Sequence, residues 1–197
     1  VPPSDRTAER RRLLVRAGFE LLGADGLAGV TVRGVCAHAR LNARYFYESF
    51  RGLDELVVAV FDGVVAELRV QVDAAVAGAG ADPLARVRAT VASTADFVDS
   101  DRRRARVLYE EGRGHDGLQR RRAEVAMGIA ELVATESARD DPGAAHRAVA
   151  TFLVGGFSEL LVRWLDGTVP VGRDELVRIA TELFVVAGQV GGQASRR

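Results

Sequence analysis

The chain has 197 residues, 48% of them apolar, enough to pack a core in one or two domains. Its 27 cationic residues, all Arg, balance 27 acidic ones, so a uniformly basic nucleic-acid coat is excluded and any attraction to DNA must be local. The single cysteine, Cys36, excludes an internal disulfide framework and a Cys-rich zinc site.

Val1 to Ser4 carries two Pro and is expected to be mobile. From Asp5 the pattern is helical, with Leu13, Leu14, Ala17, Leu21 and Leu22 on one face. Gly23 to Gly29 holds three Gly and reads as a stop and a loop. Thr31 then stands where a cap belongs, ahead of Val32, Val35 and Cys36, and Asn42 offers a second cap for a short helix through Tyr47. A longer helix is predicted from Asp54 to Ala77, and Gly78 to Pro83 is a loop ending on a helix-starting Pro.

Every later segment also reads as helix. Leu84, Val87, Val91 and Val98 form one stripe, and Leu118, Val125, Ile129, Leu132 and Val133 form another beyond a break at Gly112 to Gly117. After a turn at Asp140 to Gly143, two strongly apolar helices are predicted over Ala144 to Leu165 and Asp174 to Val190. Leu176, Ile179, Leu183, Val186 and Val190 recur at spacings of three and four, a seam suited to another helix. No strand and no repeat emerges, so the class is all-α. The longest charge-free run, Leu183 to Ser195, has 13 residues and several polar ones, too short for a bilayer, and the Arg-rich start lacks an apolar signal core. A soluble cytoplasmic protein is expected.

Thr31 to Ala39 and Asn42 to Glu48 are separated by too few residues for anything but a tight, angled turn. Such a pair is a helix-turn-helix, in which the first helix props the second in the DNA major groove. The chain resembles the TetR family of bacterial regulators at Arg12-Leu13-Leu14, Gly18-Phe19, Leu22, Gly26, Thr31-Val32-Arg33, Val35-Cys36, Ala39, Tyr47, Phe50 and Asp54-Glu55-Leu56. These positions cover roughly the first 60 residues; beyond them the resemblance is one of helical layout.

The resemblance implies a DNA-binding domain over 1–53, a connecting helix and loop over 54–83, and a ligand-binding and dimerisation domain over 84–197. Thr31 would cap the second helix and meet a phosphate. Arg33 would reach a phosphate or a base. Asn42, Ala43, Arg44 and Tyr45 would face base edges, with Arg44 able to pair bidentately with guanine and Asn42 with adenine. Tyr47 would contact a phosphate, and Phe46 and Phe50 would face the core. The chain departs from the family at Arg40 and Arg44, where Gly is usual, at Asn42, where Ser is, and at Leu53, where a Lys phosphate anchor is usual and Arg51 is the substitute. Near the start, Arg6, Arg10, Arg11, Arg12 and Arg16 face only Asp5 and Glu9, a local +3. These cations form either a DNA-contacting arm or a solvated helix face.

The family's C-terminal domain encloses an effector cavity, for which Phe97, Leu108, Tyr109, Met127, Phe152, Phe157 and Trp164 are the candidates; core packing is the competing role for each. Tyr109, Glu110, Arg113 and His115 are polar groups that could orient an effector. The last two helices are apolar over more than one narrow face, which implies a homodimer through Val149, Leu153, Gly156, Leu160, Leu176, Ile179, Leu183 and Val186. A two-fold dimer places its recognition helices about 34–36 Å apart, on a pseudo-palindrome. The expected function is a ligand-responsive repressor, released by a small apolar or amphipathic effector; the alternative is a helical regulator without one. No cofactor and no metal is implied. An enzyme would draw on Glu110, Glu111 and His115, but no nucleophile or phosphate loop accompanies them. Cys36 and His38, two apart on a helix, point about 200° from each other and do not make a metal site.

Overall fold

The structure, a computed structural model, describes residues 3–111, 115–137 and 143–194. Among the described residues there is no strand. The helices are α1 (Pro3–Asp25), α2 (Val32–Ala39), α3 (Ala43–Ser49), α4 (Leu53–Gly78), α5 (Pro83–Ser100), α6 (Arg102–Ala105), α7 (Asp116–Ser137), α8 (Ala144–Leu165) and α9 (Arg173–Ala194). A 3₁₀ turn, Leu27–Gly29, follows α1, and a single π-helical turn, Arg106–Glu110, follows α6. The all-α class is as expected. α1 starts at Pro3, two residues before the expected Asp5, because Pro lacks only an N–H that the first helical turn leaves unpaired. The helices form two compact units. One gathers the described residues up to 67 with those of 101–121; the other gathers 68–100 with those from 122 onward.

In the first unit the core is built from apolar side chains that α1, α2 and α4 each turn inward. α1 contributes Leu14, Ala17 and Leu22, α2 contributes Val35 and Cys36, and α4 contributes Leu56, Val57, Val60, Phe61 and Val64. α3 has only seven residues, too few to persist alone. It is held by Phe46, fully buried, and by Phe50 just beyond its end, with the two rings 5.7 Å apart.

In the second unit Val91 of α5 packs with Val177 and Ala180 of α9, and Phe157, Leu160 and Phe184 complete that cluster. Ala130 and Ala134 of α7 meet Ala150 of α8, small side chains that let the two helices lie close. Arg173, at the start of α9, grips the Asp96 carboxylate of α5 through two bonds of 2.6 and 2.7 Å. The Trp164 indole N–H donates to Val171 O at 3.0 Å and fastens the turn between α8 and α9. Counted by length and composition alone, α8 is long and apolar enough to cross a membrane. It packs on α7 and α9, and part of its apolar surface is left open.

Candidate nucleic-acid interface

The helix-turn-helix is built from local chemistry. Thr31 is extended (φ −127°, ψ 151°) and its Oγ1 accepts the Gly34 N–H at 3.0 Å, capping α2. Asn42 does the same for α3, its Oδ1 accepting the Tyr45 N–H at 3.3 Å. Between the caps, Arg40 adopts the left-handed conformation (φ 55°, ψ 40°), which directs the Leu41 N–H back to Cys36 O at 2.9 Å. The turn keeps the shape a glycine would give it, at a steric cost to Arg40. Arg40→Gly is therefore expected to raise the unfolding free energy by about 1 kcal/mol. A urea melt checks this, and a midpoint that stays or falls contradicts it.

The predicted DNA-facing residues have these surroundings. Thr31, Arg33, Asn42, Ala43, Arg44, Tyr47 and Arg51 are exposed. Arg44 donates from Nε to Glu48 Oε1 at 2.8 Å. Arg51 donates its backbone N–H to the Glu55 carboxylate at 2.9 Å. Tyr45 is half-buried, because the Arg10 guanidinium lies 4.0 Å over its ring. Arg11 covers the Phe50 ring at 4.4 Å, so two of the five N-terminal arginines are fastened to the α3 region. Arg12 pairs with Glu9. The sequence offers no local signal for the Arg10–Tyr45 contact, since the partners lie on separate helices.

A second set of contacts joins residues 101–111 to the end of α1. Glu111 Oε2 accepts the Leu27 N–H at 3.1 Å, and its Oε1 pairs with Arg106 Nε at 2.9 Å. Arg106 Nη1 in turn donates to Gly23 O at 3.2 Å and Ala24 O at 2.7 Å, carbonyls of the last turn of α1. Gly26 has a φ of 71°, and a Cβ there would stand 2.7 Å from the Glu111 carboxylate. A Cβ at Gly23 would meet the Arg103 side chain at 2.6 Å. Glycine at both places lets the segment approach. Arg103 bridges Asp101 and Glu20 and lies 5.2 Å over Phe19. Its hydrogen bond holds the Asp101 carboxyl below the usual carboxylate range.

These contacts bear on the enzyme alternative. Glu111 is committed to the fold of α1, and Glu110 is exposed. His115 Nδ1 accepts the Leu118 N–H at 3.0 Å and caps the start of α7, and its Nε2 lies 3.1 Å from the Asp54 carboxylate. Arg113 lies outside the described residues. Among the described residues no group of three or more His, Cys, Asp or Glu is placed to hold a metal ion. Cys36 is buried, which pushes its thiol pKa up, and His38 is exposed.

The effector candidates fall in both units. Leu108 is buried and Tyr109 half-buried in the first. In the second, Phe97 is buried, Phe157 meets the Phe184 ring at 5.8 Å, and Trp164 is half-buried. Met127 and Phe152 stand at the surface, 71% and 78% exposed. Of the interface candidates, Leu153 and Leu176 are buried within their own unit, because the inward stripe of α9 runs through Leu176, Val177 and Ala180. Val149, Leu160 and Ile179 are half-buried, and Gly156, Leu183 and Val186 are exposed.

No protein-family model and no curated protein sequence matches the chain. Solved structures do. A TetR-family member from Streptomyces coelicolor A3 superposes with a TM-score of 0.67 at 24% identity, covering 89% of this chain and 98% of that one. The multidrug binding protein EbrR, solved with imidazole, gives 0.68 at 24% identity, with 89% of each chain covered. The fatty acid degradation regulator FadR from Bacillus halodurans gives 0.69 at 16% identity, covering 89% of this chain and 94% of that one. The chain has the fold of the TetR-family regulators.

Proposed function

We propose that this chain is a TetR-family transcriptional regulator that binds a pseudo-palindromic operator as a homodimer and acts as a repressor. The observation that carries the DNA half is the capped α2–α3 pair, which leaves Asn42, Ala43, Arg44 and Tyr47 exposed on one short helix supported by Phe46. Phosphate contacts from Thr31, Arg33, Tyr47 and Arg51 set the register, and base contacts from the first turn of α3 set the sequence. Selection from a pool of random duplexes tests this. The expected product is an inverted repeat whose half-site centres lie about one helical turn apart. Recovery of no repeat, or of duplexes with no shared sequence, contradicts it.

Arg44→Ala is expected to cost about 1–3 kcal/mol on the selected operator and much less on unrelated duplex. Equal losses on both would make Arg44 a phosphate contact.

Dimerisation is supported by Phe152, Leu183 and Val186, apolar side chains that a lone protomer leaves in water. A small apolar or amphipathic effector is supported by the fold's appearance in a multidrug binding protein and in a fatty acid degradation regulator. Its proposed lining in the second unit is Phe97, Met127, Phe157 and Trp164. The effector would bind the DNA-free conformation better and so lower operator affinity by that difference. A compound that raises the melting temperature and releases operator DNA supports this; one that stabilises without release counts against it. Regulation without an effector is the second possibility, favoured by the packing of Phe157 on Phe184 and the indole bond of Trp164.

A further inference from the structure

α3 carries one acidic side chain, Glu48, and it faces two arginines from different helices. Its Oε1 accepts Arg44 Nε at 2.8 Å, and its Oε2 lies 3.5 Å from Nη1 of Arg10 on α1. Arg10 is held from below by the Tyr45 ring, 4.0 Å away. Arg44 is 82% exposed and Glu48 40%, so the pairs lie at the surface and add little to stability. Their consequence falls on whatever approaches α3. A backbone phosphate would have to share both guanidiniums with a carboxylate of its own sign. A guanine edge would not, because Glu48 occupies only Nε of Arg44 and leaves the two Nη groups, whose N–H donors suffice for the O6/N7 pair. The carboxylate also fixes the guanidinium plane, which lowers the ordering cost of a bidentate base contact.

We propose that Glu48 is a specificity-determining residue: a resident anion that competes with DNA phosphates for Arg44 and Arg10 while orienting Arg44 toward a base. The assignment rests on the DNA-binding function proposed above. Glu48 then weakens binding to arbitrary DNA, which a protein with no net charge achieves here through one local contact.

The test uses the full-length chain and a fluorescent duplex of arbitrary sequence, titrated across a salt series. Glu48→Gln is expected to tighten this binding about tenfold at low salt and to steepen the dependence of log K on log salt by about 0.9, one added phosphate contact. Glu67→Gln makes the same charge change on α4, beside Arg104, and is expected to alter affinity by no more than about twofold. In an Arg44→Ala background the Glu48→Gln gain should shrink, because one of the two competed cations is gone. Circular dichroism establishes that each variant is folded. Equal effects of Glu48→Gln and Glu67→Gln, or a Glu48→Gln gain undiminished by Arg44→Ala, overturn the assignment and leave the DNA-binding function standing. A folded wild-type chain and a folded Glu48→Gln variant that both fail to bind any duplex at the lowest salt overturn both.

Discussion

Leu183→Glu is expected to turn the proposed dimer into monomers and to lower operator affinity about a thousandfold, because one half-site alone must then hold the protein. The side chain stands 55% exposed on α9 beside Val186, 59% exposed, with Ile179 half-buried on the same stripe. On α8, Phe152 is 78% exposed, and among the described residues nothing beyond the adjoining helix backbone lies within 4 Å of a Cβ placed on Gly155 or Gly156. Glycines at both positions leave room for a second helix to come close. Covering a Phe or Leu of this kind contributes about 1.5–3 kcal/mol, and a two-fold axis counts each residue twice. The same doubling places two glutamates near one another in the variant, where desolvation and like-charge repulsion oppose association. The protomer tolerates the change because Leu183 faces water within it. Sedimentation velocity reads the outcome, and a dimer that survives Leu183→Glu places the interface elsewhere. Gly156→Leu is the companion: leucine is the better helix former, so the protomer keeps its fold while the added side chain fills the approach between helices.

What the sequence made legible was local. Thr31 and Asn42 announce their caps because a cap is made within three residues of the capping side chain. The short turn was legible for the same reason, and the glycine usual at Arg40 in the family the chain resembles pointed to the left-handed backbone found there. Of the apolar face predicted for α1, Leu14, Ala17 and Leu22 are buried. Phe46 and Phe50 were correctly placed in the core. Contacts across the chain were not legible. Glu111 stood out as a spare carboxylate, and only the fold shows that it caps the turn after α1, 84 residues away. The Arg103–Glu20 pair spans 83 residues and leaves no periodic trace. The π-helical turn at Arg106–Glu110 was read as ordinary helix, since one extra residue in a turn changes no residue type. For α9 the spacing gave a single seam from Leu176 to Val190. The fold divides it: Leu176 joins Val177 and Ala180 inside, and Leu183 and Val186 point out. A helix apolar over a wide arc cannot say which edge of the arc its own protomer covers.

Phe46→Ala is expected to remove about 3–5 kcal/mol of stability and, with it, binding to every duplex alike. The side chain is fully buried, with the Tyr47 ring 5.3 Å and the Phe50 ring 5.7 Å away. It is also the one buried side chain in the seven residues of α3. A helix that short has no stability of its own, so its position depends on this anchor and on the Asn42 cap. Truncation leaves a cavity between α3 and the aromatic residue that follows it, and the exposed readers on the opposite face lose a fixed spacing. The pattern should differ from that of Arg44→Ala, which removes one contact and relaxes sequence preference while the helix stays folded. It should differ also from Leu183→Glu, because the outward stripe of α8 and α9 is untouched and association persists. Urea melts give the stability, anisotropy with operator and unrelated duplex gives the binding, and hydrogen exchange over residues 43–49 reports whether α3 has opened. A loss near 1 kcal/mol, or retained operator affinity with unprotected amides in that segment, would mean that α3 is held by something other than its single buried ring.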